Sequence, residues 1–421
     1  MSSAYRHQNS NHKLDCAAAL DTRVNDFVAS SKIKAVSLAS ELSVDLVTTA
    51  EGLQALQTDY DDLLAVSHNK LPFALHEWHI TWCKHFLEAG RNVTTQRMFH
   101  VVRDAERRCV GIVPLILTRR ALGPLKIRSL DLVGTDPAFT EIRSSLIKPG
   151  YETRVAWAVQ RRLAAVRSID WVRWSGISGT FGDALAVSAK LTWQSPLLDY
   201  VLDLPPSWDA LRANLKRNIR ESIRHCYNSL KRDGISFEMR IAAAPAEVDA
   251  ALSRFFELHA LRANLTGTVA HPNVFCTARS REFLRDVCGR LAARNMVRVF
   301  QLVIGGEVVA TRVGFVVQDS LYMYYSGYDG RWSDYGVMTT TLVEAIKHAI
   351  GLGLASVNFS TGNDVSKTRW GVREVKYARA VEIRASHLSR FAWGAFQRAT
   401  QDSSRHSWLG RLSRRVARDW R

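Results

Sequence analysis

Residues 324–341, YYSGYDGRWSDYGVMTTT, carry more information about the fold than any other stretch of the chain. Aromatic residues with strand character lead into glycines at 327 and 330, and Gly336 precedes a helix-compatible run, LVEAIKHAIGLGL, over residues 342–354. This pattern predicts a strand, a glycine-broken turn and a helix that begins at Gly336. Ligands of α/β proteins bind at such strand ends, so the stretch is also a candidate seat for a phosphate group.

Length and composition limit the classes of protein to consider. A chain of 421 residues with 47% apolar residues is predicted to form two globular domains. No apolar run approaches the roughly 18 residues of a membrane span, and the N-terminal residues MSSAYRHQNSNHKLD lack the apolar segment of a secretory signal. The six cysteines are scattered without a C-x-x-C pair, which argues against a zinc site and against a disulfide framework. We therefore expect a reducing, cytoplasmic location and no metal.

The order of predicted elements is the same in the two halves of the chain. The first half has a short strand from Val44, helices at 51–68 and 74–89, strands at 96–103, 109–117 and 127–133, a helix at 152–166, and strands at 170–175 and 199–204. The second half has a strand at 235–240, helices at 245–262 and 279–295, strands at 297–304, 308–317 and 321–326, a helix at 337–351, and a strand at 356–359. Trp78, Trp82 and Phe86 share one face of their helix and are predicted to be core. The pattern indicates a duplicated α/β architecture with a mixed sheet.

The net charge of +17 is concentrated in two segments. Residues 211–232 are predicted to form one long helix with a continuous apolar stripe and a basic rim, ended by Gly234. The last residues, through RHSWLGRLSRRVARDWR, form a basic tail that contains tryptophans. Either segment is open to two interpretations, a solvated surface or a nucleic-acid surface. The tail has a third, contact with an anionic membrane face.

Five motifs occur in an order and spacing that resemble a known family. They are PFALHEWHITWCKHF (72–86), RANLKRNIRESIRHCYNSLKRDG (212–234), FFELHALR (255–262), YYSGYDGRW (324–332) and NFSTGNDVSKTRWG (358–371). Together they resemble the CelD/BcsL-type acetyltransferase family of the GNAT superfamily, related to FemAB-like enzymes, over roughly residues 45–385. The resemblance implies an α/β fold of tandem GNAT-like mixed-sheet lobes, a FemAB-like architecture, with a basic C-terminal tail. The expected division is a flexible arm (1–42), an N-terminal lobe (43–204), a C-terminal acetyltransferase lobe (205–385) and a basic amphipathic tail (386–421).

The resemblance implies transfer of an acyl group, most simply acetyl, from acetyl-CoA or another acyl-CoA to an amine or hydroxyl of a sugar or polysaccharide precursor. Direct transfer is expected, because no Ser/His/Asp or Cys/His set suggests a covalent intermediate. Superfamily relatives hold the coenzyme's pyrophosphate in a Q/R-x-x-G-x-G/A loop. The aligned residues are Ser333, Asp334, Tyr335, Gly336, Val337 and Met338, of which only Gly336 matches. An ordinary strand-to-helix turn is the alternative for this loop. The first half has no comparable glycine-rich loop, which favours a supporting role for that lobe.

Candidate catalytic residues lie in the second half. His259, or a water beside it, is the expected base because imidazole titrates near neutral pH, and it shares a helix face with Arg262. A solvent-exposed helix histidine is the alternative. Tyr328 is either a proton donor to the departing sulfur or a turn residue. The residues expected to shape the acceptor pocket are Arg262, Ser360, Thr361, Gly362, Asp364, Lys367 and Trp370. Asn358 stands where the family has Asp, and Ser366 where it has Tyr.

Two rival functions remain open at this point. FemAB-like relatives use aminoacyl-tRNA as donor, so a tRNA-dependent aminoacyl transferase with the basic helix on phosphates is one alternative. A non-catalytic binding protein on a decayed fold is the other. If the tail contacts an anionic membrane, the protein is expected at the inner face of the membrane.

Overall fold

The computed structural model describes residues 42–401 apart from 123–124, 137, 167, 267–270, 363 and 385. Nearly all of the predicted arm and the tail beyond residue 401 lie outside these residues. The strands of the first half are β1 (Ser43–Val47), β2 (Val93–Arg103), β3 (Cys109–Leu122), β4 (Leu125–Leu132), β5 (Leu146–Ile147), β6 (Trp171–Ile177) and β7 (Thr192–Asp203). Its helices are α1 (Ala50–Gln54), α2 (Gln57–Val66), α3 (His76–Phe86), α4 (Glu152–Ala164) and α5 (Gly179–Ser188).

The second half repeats this order. Its helices are α6 (Trp208–Asn214), α7 (Arg217–Arg232), α8 (Pro245–Ala263), α9 (Ala278–Ala292), α10 (Val337–Gly351), α11 (Val365–Thr368) and α12 (His387–Gln401). Its strands are β8 (Phe237–Ala242), β9 (Val297–Ile304), β10 (Glu307–Val317), β11 (Ser320–Tyr328), β12 (Ser356–Thr361) and β13 (Arg373–Ile383). A 3₁₀ helix, Gly330–Tyr335, joins β11 to α10. The predicted duplicated α/β order is confirmed.

The strands form one continuous mixed sheet. Its order is β1-β2-β3-β4-β6-β13-β7-β12-β11-β10-β9-β8, with β5 paired to β3. Each half contributes one parallel pair, β4 with β6 and β11 with β12. The final strands are exchanged across the middle: β7 of the first half pairs with β12, and β13 of the second half pairs with β6 and β7. This exchange places residues from the first half beside the strand ends of the second half.

The core lies on both faces of this sheet. Trp78 and Trp82 are at most 1% exposed, as predicted, and they pack beneath α9 with Phe283 and Phe315. Helices α7 and α10 cover the opposite face of the second half through a cluster that includes Ile219 and Ile346. Burial of such apolar surface is the main stabilising contribution to the fold.

Two elements of the basic segments differ from the sequence prediction. The single helix predicted over 211–232 is wrong, because Leu215 is extended (φ −70°, ψ 145°) and divides it into α6 and α7. Leu215 remains in the core at 5% exposure, so the break keeps the apolar stripe buried. Residues 387–401 of the predicted tail form α12, and Trp393 packs against Trp171 with ring centroids 5.3 Å apart. The described part of the tail is therefore docked on the sheet.

Candidate active site

Strands β11 and β12 are paired over only part of their length. Their register joins Ser320 to Ser356, Leu321 to Val357, and Tyr322 to Asn358. Both strands continue beyond this point, β11 to Tyr328 and β12 to Thr361, without further pairing between them. We call the space that begins at Tyr322 and Asn358 the β11–β12 cleft. Main-chain groups on its two edges are available to a ligand, as the carboxyl ends of parallel strands commonly are.

A β-bulge lies in β11 at the start of this cleft. Ser326 pairs with Arg312 and Met323 pairs with Gly314, so Tyr324 and Tyr325 oppose Val313 alone. A bulge changes the direction in which the neighbouring side chains point. The hydroxyl of Tyr324 donates to the carbonyl of Phe139 (2.7 Å), and the hydroxyl of Tyr325 donates to the carbonyl of Ala138 (2.8 Å).

The two tyrosines thereby fix a connection from the first half, residues 133–145, against the second. Asp136 holds the turn of this connection, because its carboxylate accepts bonds from the backbone N–H groups of Phe139 and Thr140 and from the indole of Trp82 (2.8 Å). The indole of Trp78 donates to the Thr140 hydroxyl at 3.1 Å. The buried tryptophans of α3 thus position the residue that follows, Glu141.

Glu141 is a carboxylate placed at the mouth of the β11–β12 cleft. It accepts a hydrogen bond from the hydroxyl of Tyr322, the last residue of β11 that pairs with β12. Burial raises the pKa of Glu141 to about 7, while the Tyr322 bond and the nearby charge of Lys367 oppose the shift. Glu141 as a residue is half-buried, so part of it is open to solvent. A carboxylate with a pKa near neutrality is suited to accepting a proton.

A second carboxylate, Asp199, lies on β7 next to β12. It is 0% exposed, and burial raises its pKa to about 6. The Nδ2 of Asn358 donates to its Oδ2 at 2.6 Å, while its Oδ1 has no partner among the described residues. Asn358 also accepts a bond from the Ser360 N–H at 2.7 Å. Because it has no exposed surface, Asp199 supports the cleft and is not available to substrate.

Ser360, Thr361 and Lys367, three predicted acceptor-pocket residues, come together beside these carboxylates. Ser360 has a left-handed backbone (φ 64°), a strained conformation for a non-glycine residue that often accompanies functional sites. The Lys367 ammonium donates to the carbonyl of Thr361 and to the carbonyl and hydroxyl of Ser360 (3.4 Å each). Burial lowers the pKa of Lys367, and the charges of Glu141 and Asp199 oppose that shift.

The other predicted acceptor-pocket residues have different surroundings. Arg262 reaches β11, where it donates to the Ser326 hydroxyl at 2.6 Å. Asp364 accepts from the Ser366 N–H and begins α11, and Gly362 adopts φ 97° in the turn before it. Trp370 is 2% exposed and packs edge-on against Phe359 in the cluster beneath α10. The expectation that Trp370 shapes a ligand pocket does not agree with this burial.

His259 is also buried, which weakens its expected role as base. It is 3% exposed among Phe255, Phe275 and Tyr325, and its Nδ1 bonds to the carbonyl of Ser326 at 3.0 Å. Its Nε2 is buried without a partner among the described residues, and burial lowers its pKa. Gly327, next to Ser326, leaves no room for a Cβ, because a Cβ there would lie 2.3 Å from the backbone nitrogen of His259. His259 and Arg262 do share a helix face, as predicted, and both contact Ser326.

The predicted coenzyme loop lies at the N-terminus of α10. The side chains of Ser333 and Tyr335 bond to the Gly330 carbonyl and to Asp233, and Asp334 is exposed. Gly336 has φ 61°, and a Cβ there would lie 2.4 Å from the Cys226 sulfur of α7. The glycine is therefore required by the backbone conformation and by helix packing. The first N–H groups of α10, from Val337 and Met338, have no acceptor within a helix and can meet an anion.

Tyr328 lies at the end of β11, on the α10 side. It is half-buried and packs with Leu230, Val337 and Trp332. The sequence did not indicate Glu141 or Asp199, because both precede the lobe that carries the other site residues. The first lobe therefore contributes side chains to the site as well as support. Among the described residues, no group of three or more His, Cys, Asp or Glu is arranged for a metal ion.

Comparison with known proteins bears on the fold. Residues 217–369 match the family model described as an acetyltransferase (GNAT) domain. The crystal structure of FemX is similar over 80% of this chain and 98% of its own, with a TM-score of 0.55 and 9% identity. A conserved protein of unknown function from Bacteroides thetaiotaomicron VPI-5482 has a TM-score of 0.48 and 14% identity, over 81% of this chain and 100% of that one. No curated protein matches in sequence.

The likeness to FemX extends over both halves, whereas the family match lies in the second. The fold is therefore the predicted one of tandem GNAT-like lobes, and the match to the GNAT domain model covers residues 217–369. At 9% identity this likeness concerns the fold alone. No helix within the described residues has the length and apolar character needed to cross a membrane.

Proposed function

We propose that this protein is an acyltransferase that moves an acyl group, most simply acetyl, from coenzyme A to an amine or hydroxyl of a sugar-type acceptor. The observation that carries the proposal is the position of Glu141. A carboxylate with a pKa raised to about 7 lies at the mouth of the β11–β12 cleft. The match of residues 217–369 to a GNAT acetyltransferase domain supports the reaction class.

The donor would extend along the cleft towards α10. The unpaired edges of β11 and β12 offer backbone partners for the amides of the coenzyme arm. The N–H groups of Val337 and Met338 and the positive end of the 15-residue helix α10 would bind the pyrophosphate. The loop lacks the long polar residue of its superfamily relatives, so the backbone would supply most of this interaction.

Transfer would be direct, with both substrates bound. The acceptor nitrogen or oxygen forms a bond to the acyl carbon, its proton passes to Glu141, and the carbon–sulfur electron pair leaves with the sulfur. The Lys367 charge favours the ionised form of Glu141 before transfer. Tyr328, the expected proton donor, lies six residues along β11 from Tyr322, roughly 20 Å away at about 3.3 Å per residue. A thioester beside Glu141 would be out of its reach, so the sulfur would leave as a thiolate.

His259 takes a different role in this proposal from the one expected of it. Its ring is enclosed by aromatic side chains, and its Nδ1 is engaged by the Ser326 carbonyl. We assign it to positioning of the β11 edge, since a buried imidazole with a lowered pKa is a poor base for an external acceptor.

The proposal is tested by release of free coenzyme A from acetyl-CoA in the presence of amino-sugar and polyol acceptors. Wild-type protein is compared with Glu141→Gln and with Glu257→Gln, which removes an exposed carboxylate from α8. Acceptor-dependent release that Glu141→Gln loses and Glu257→Gln keeps supports the proposal. Equal activity of all three proteins would remove Glu141 from the mechanism.

A second candidate, aminoacyl transfer from tRNA, is favoured by one specific observation. A cavity of about 1140 Å³ lies along α6 and α7, and its lining includes Trp208, Arg212, Arg220, Arg224 and Lys347. A basic groove with a half-buried aromatic residue suits a nucleic-acid backbone. Binding of bulk tRNA that weakens steeply with salt, without any acetyl-CoA binding, would favour this candidate.

A further inference from the structure

One arginine bonds to the Ser326 hydroxyl on the edge of the β11–β12 cleft, and a second arginine lies opposite Ser326 on the neighbouring strand. Arg312 of β10 is the cross-strand partner of Ser326, and the Ser326 hydroxyl accepts a bond of 2.6 Å from Nη1 of Arg262. Cross-strand partners have side chains on the same face of a sheet, so the two guanidinium groups lie close together. Arg262 influences the pKa of Arg312, which burial and that like charge lower to about 10.

Neither guanidinium has an ion-pair partner among the residues that the structure describes. Arg262 bonds to Ser326 and to the Nε2 of His271 (2.6 Å), both neutral groups when the imidazole is unprotonated. The Nε of Arg312 is buried and has no hydrogen-bond partner. Asp364 acts on Arg262 only through space. Two like charges held together in a partly buried position destabilise a protein unless an anion lies between them.

We propose that Arg262 and Arg312 bind an oxyanion, a carboxylate or phosphate group, carried by the acceptor. The planar guanidinium groups offer paired donors that match such an anion. This inference rests on the proposed acyl transfer and narrows it, because it selects acidic or phosphorylated acceptors over neutral ones. The Ser326 hydroxyl and His271 would complete the polar lining.

The position of Arg262 and Arg312 favours the acceptor, and not the acyl donor, as the substrate that carries the oxyanion. Ser326 precedes Gly336 by ten residues, and the 3₁₀ helix Gly330–Tyr335 separates it from the proposed pyrophosphate seat at α10. On the other side, Arg262 bonds to His271 in the connection between α8 and α9, away from α10. Arg312 also acts on the charge of Lys367, the neighbour of Glu141.

Inorganic phosphate tests the pair without any need for activity. Phosphate should raise the melting temperature of the wild-type protein in a saturable manner, because a ligand that binds only the native state stabilises it. Arg312→Gln should weaken that response at least tenfold, while the ligand-free variant melts no lower than wild type. Arg240→Gln, which removes an exposed arginine of β8, is the control and should respond like wild type. A full response in Arg312→Gln, and in Arg262→Gln should the first variant fail to fold, would overturn the proposal.

Two further measurements separate the sources of the anion. If the anion belongs to the acceptor, saturating phosphate leaves the dissociation constant for acetyl-CoA unchanged. Competition between phosphate and acetyl-CoA would assign the anion to the donor and refute its assignment to the acceptor.

Glucosamine 6-phosphate should be acetylated with a kcat/KM at least tenfold above that of glucosamine, and Arg312→Gln should abolish the preference. Equal use of both sugars would contradict the inference and leave the acyl transfer itself intact. A normal phosphate response without acetyl-CoA binding would instead refute the proposed function and the acceptor assignment, and leave an oxyanion site.

Discussion

The side chain of Asn358 on β12 donates a hydrogen bond of 2.6 Å to the carboxylate of Asp199 on β7. The two residues belong to different halves of the chain, and the exchange of β7 and β13 across the sheet brings them together. The carboxylate is supplied from β7, and an amide at 358 is the group that can donate to it. The residue at 358 is thus matched to the carboxylate that faces it.

Asn358→Asp should therefore destabilise the protein at high pH. Burial raises the pKa of Asp199 to about 6, above the value near 3.9 of an unfolded chain, so native stability already falls as the pH rises from about 4 to about 6. A second carboxylate at 2.6 Å would extend this loss to higher pH, because both groups cannot ionise together. We expect the free energy of unfolding to fall by about 2–4 kcal/mol at pH 8 and by much less at pH 5.

Denaturant titrations of Asn358→Asp at the two pH values measure this difference. Asn228→Asp places the same charge on an exposed position of α7 and should change stability by less than about 0.5 kcal/mol. A loss of stability for Asn358→Asp that is the same at pH 5 and pH 8 would show that repulsion between carboxylates is not the cause.

Glu141→Gln should lower kcat by roughly 10²–10⁴-fold and leave the dissociation constant for acetyl-CoA unchanged. The base must be ionised, so wild-type kcat/KM should rise with pH and level off above about pH 7, the value to which burial raises this pKa. The residual activity of the variant should lack that inflection. A pH profile of the same shape in both proteins would assign the titration to another group.

Tyr325→Phe should reduce activity through the position of Glu141. The Tyr325 hydroxyl donates to the carbonyl of Ala138, and the connection it holds leads to Glu141 three residues later. We expect a loss of about 1 kcal/mol in stability and a fall in kcat, with acetyl-CoA affinity retained. Tyr227→Phe, which removes a hydroxyl bonded to Glu344 away from the cleft, is the matched control. An unchanged kcat in Tyr325→Phe would show that this bond does not place the base.

Gly336→Ala should be more damaging than an ordinary glycine replacement at positive φ. Gly336 (φ 61°) lies against the Cys226 sulfur, whereas Gly353 (φ 71°) has open space where a Cβ would be. Gly353→Ala should show the backbone strain by itself, about 1–2 kcal/mol. Gly336→Ala should lose more stability and bind acetyl-CoA more weakly, and a second change, Cys226→Ala, should restore part of the stability. Equal losses for the two alanine variants would argue against the close contact with α7.

The repetition of elements could be predicted from sequence, because apolar periodicity reports which face of each helix or strand is buried. The strands predicted at 297–304 and 308–317 and the core roles of Trp78 and Trp82 are confirmed for that reason. Strand β13 was missed because its first half, REVKYAR, alternates charged residues with residues that are only half-buried. It becomes a central strand through pairing with β6 and β7, which no local pattern encodes.

The predicted site residues that meet in space are ones that lie near one another in sequence. Ser360, Thr361 and Lys367 lie in one motif, and they do meet in space. Glu141 is 181 residues from its partner Tyr322, and Asp199 is 159 residues from Asn358. Their approach depends on the bulge at Tyr324 and Tyr325 and on the exchanged strands. A half-buried carboxylate in a connection, such as Glu141, also resembles any other turn residue in sequence.

Calorimetric titration of the wild-type protein with acetyl-CoA at two salt concentrations is the most direct test of the central claim, that the β11–β12 cleft is an acyl-CoA site. We predict binding in the micromolar range that changes little with moderate salt, that Glu141→Gln retains, and that Gly336→Ala weakens. Absence of binding, together with salt-sensitive binding of bulk tRNA, would contradict the claim and favour the aminoacyl-transfer alternative.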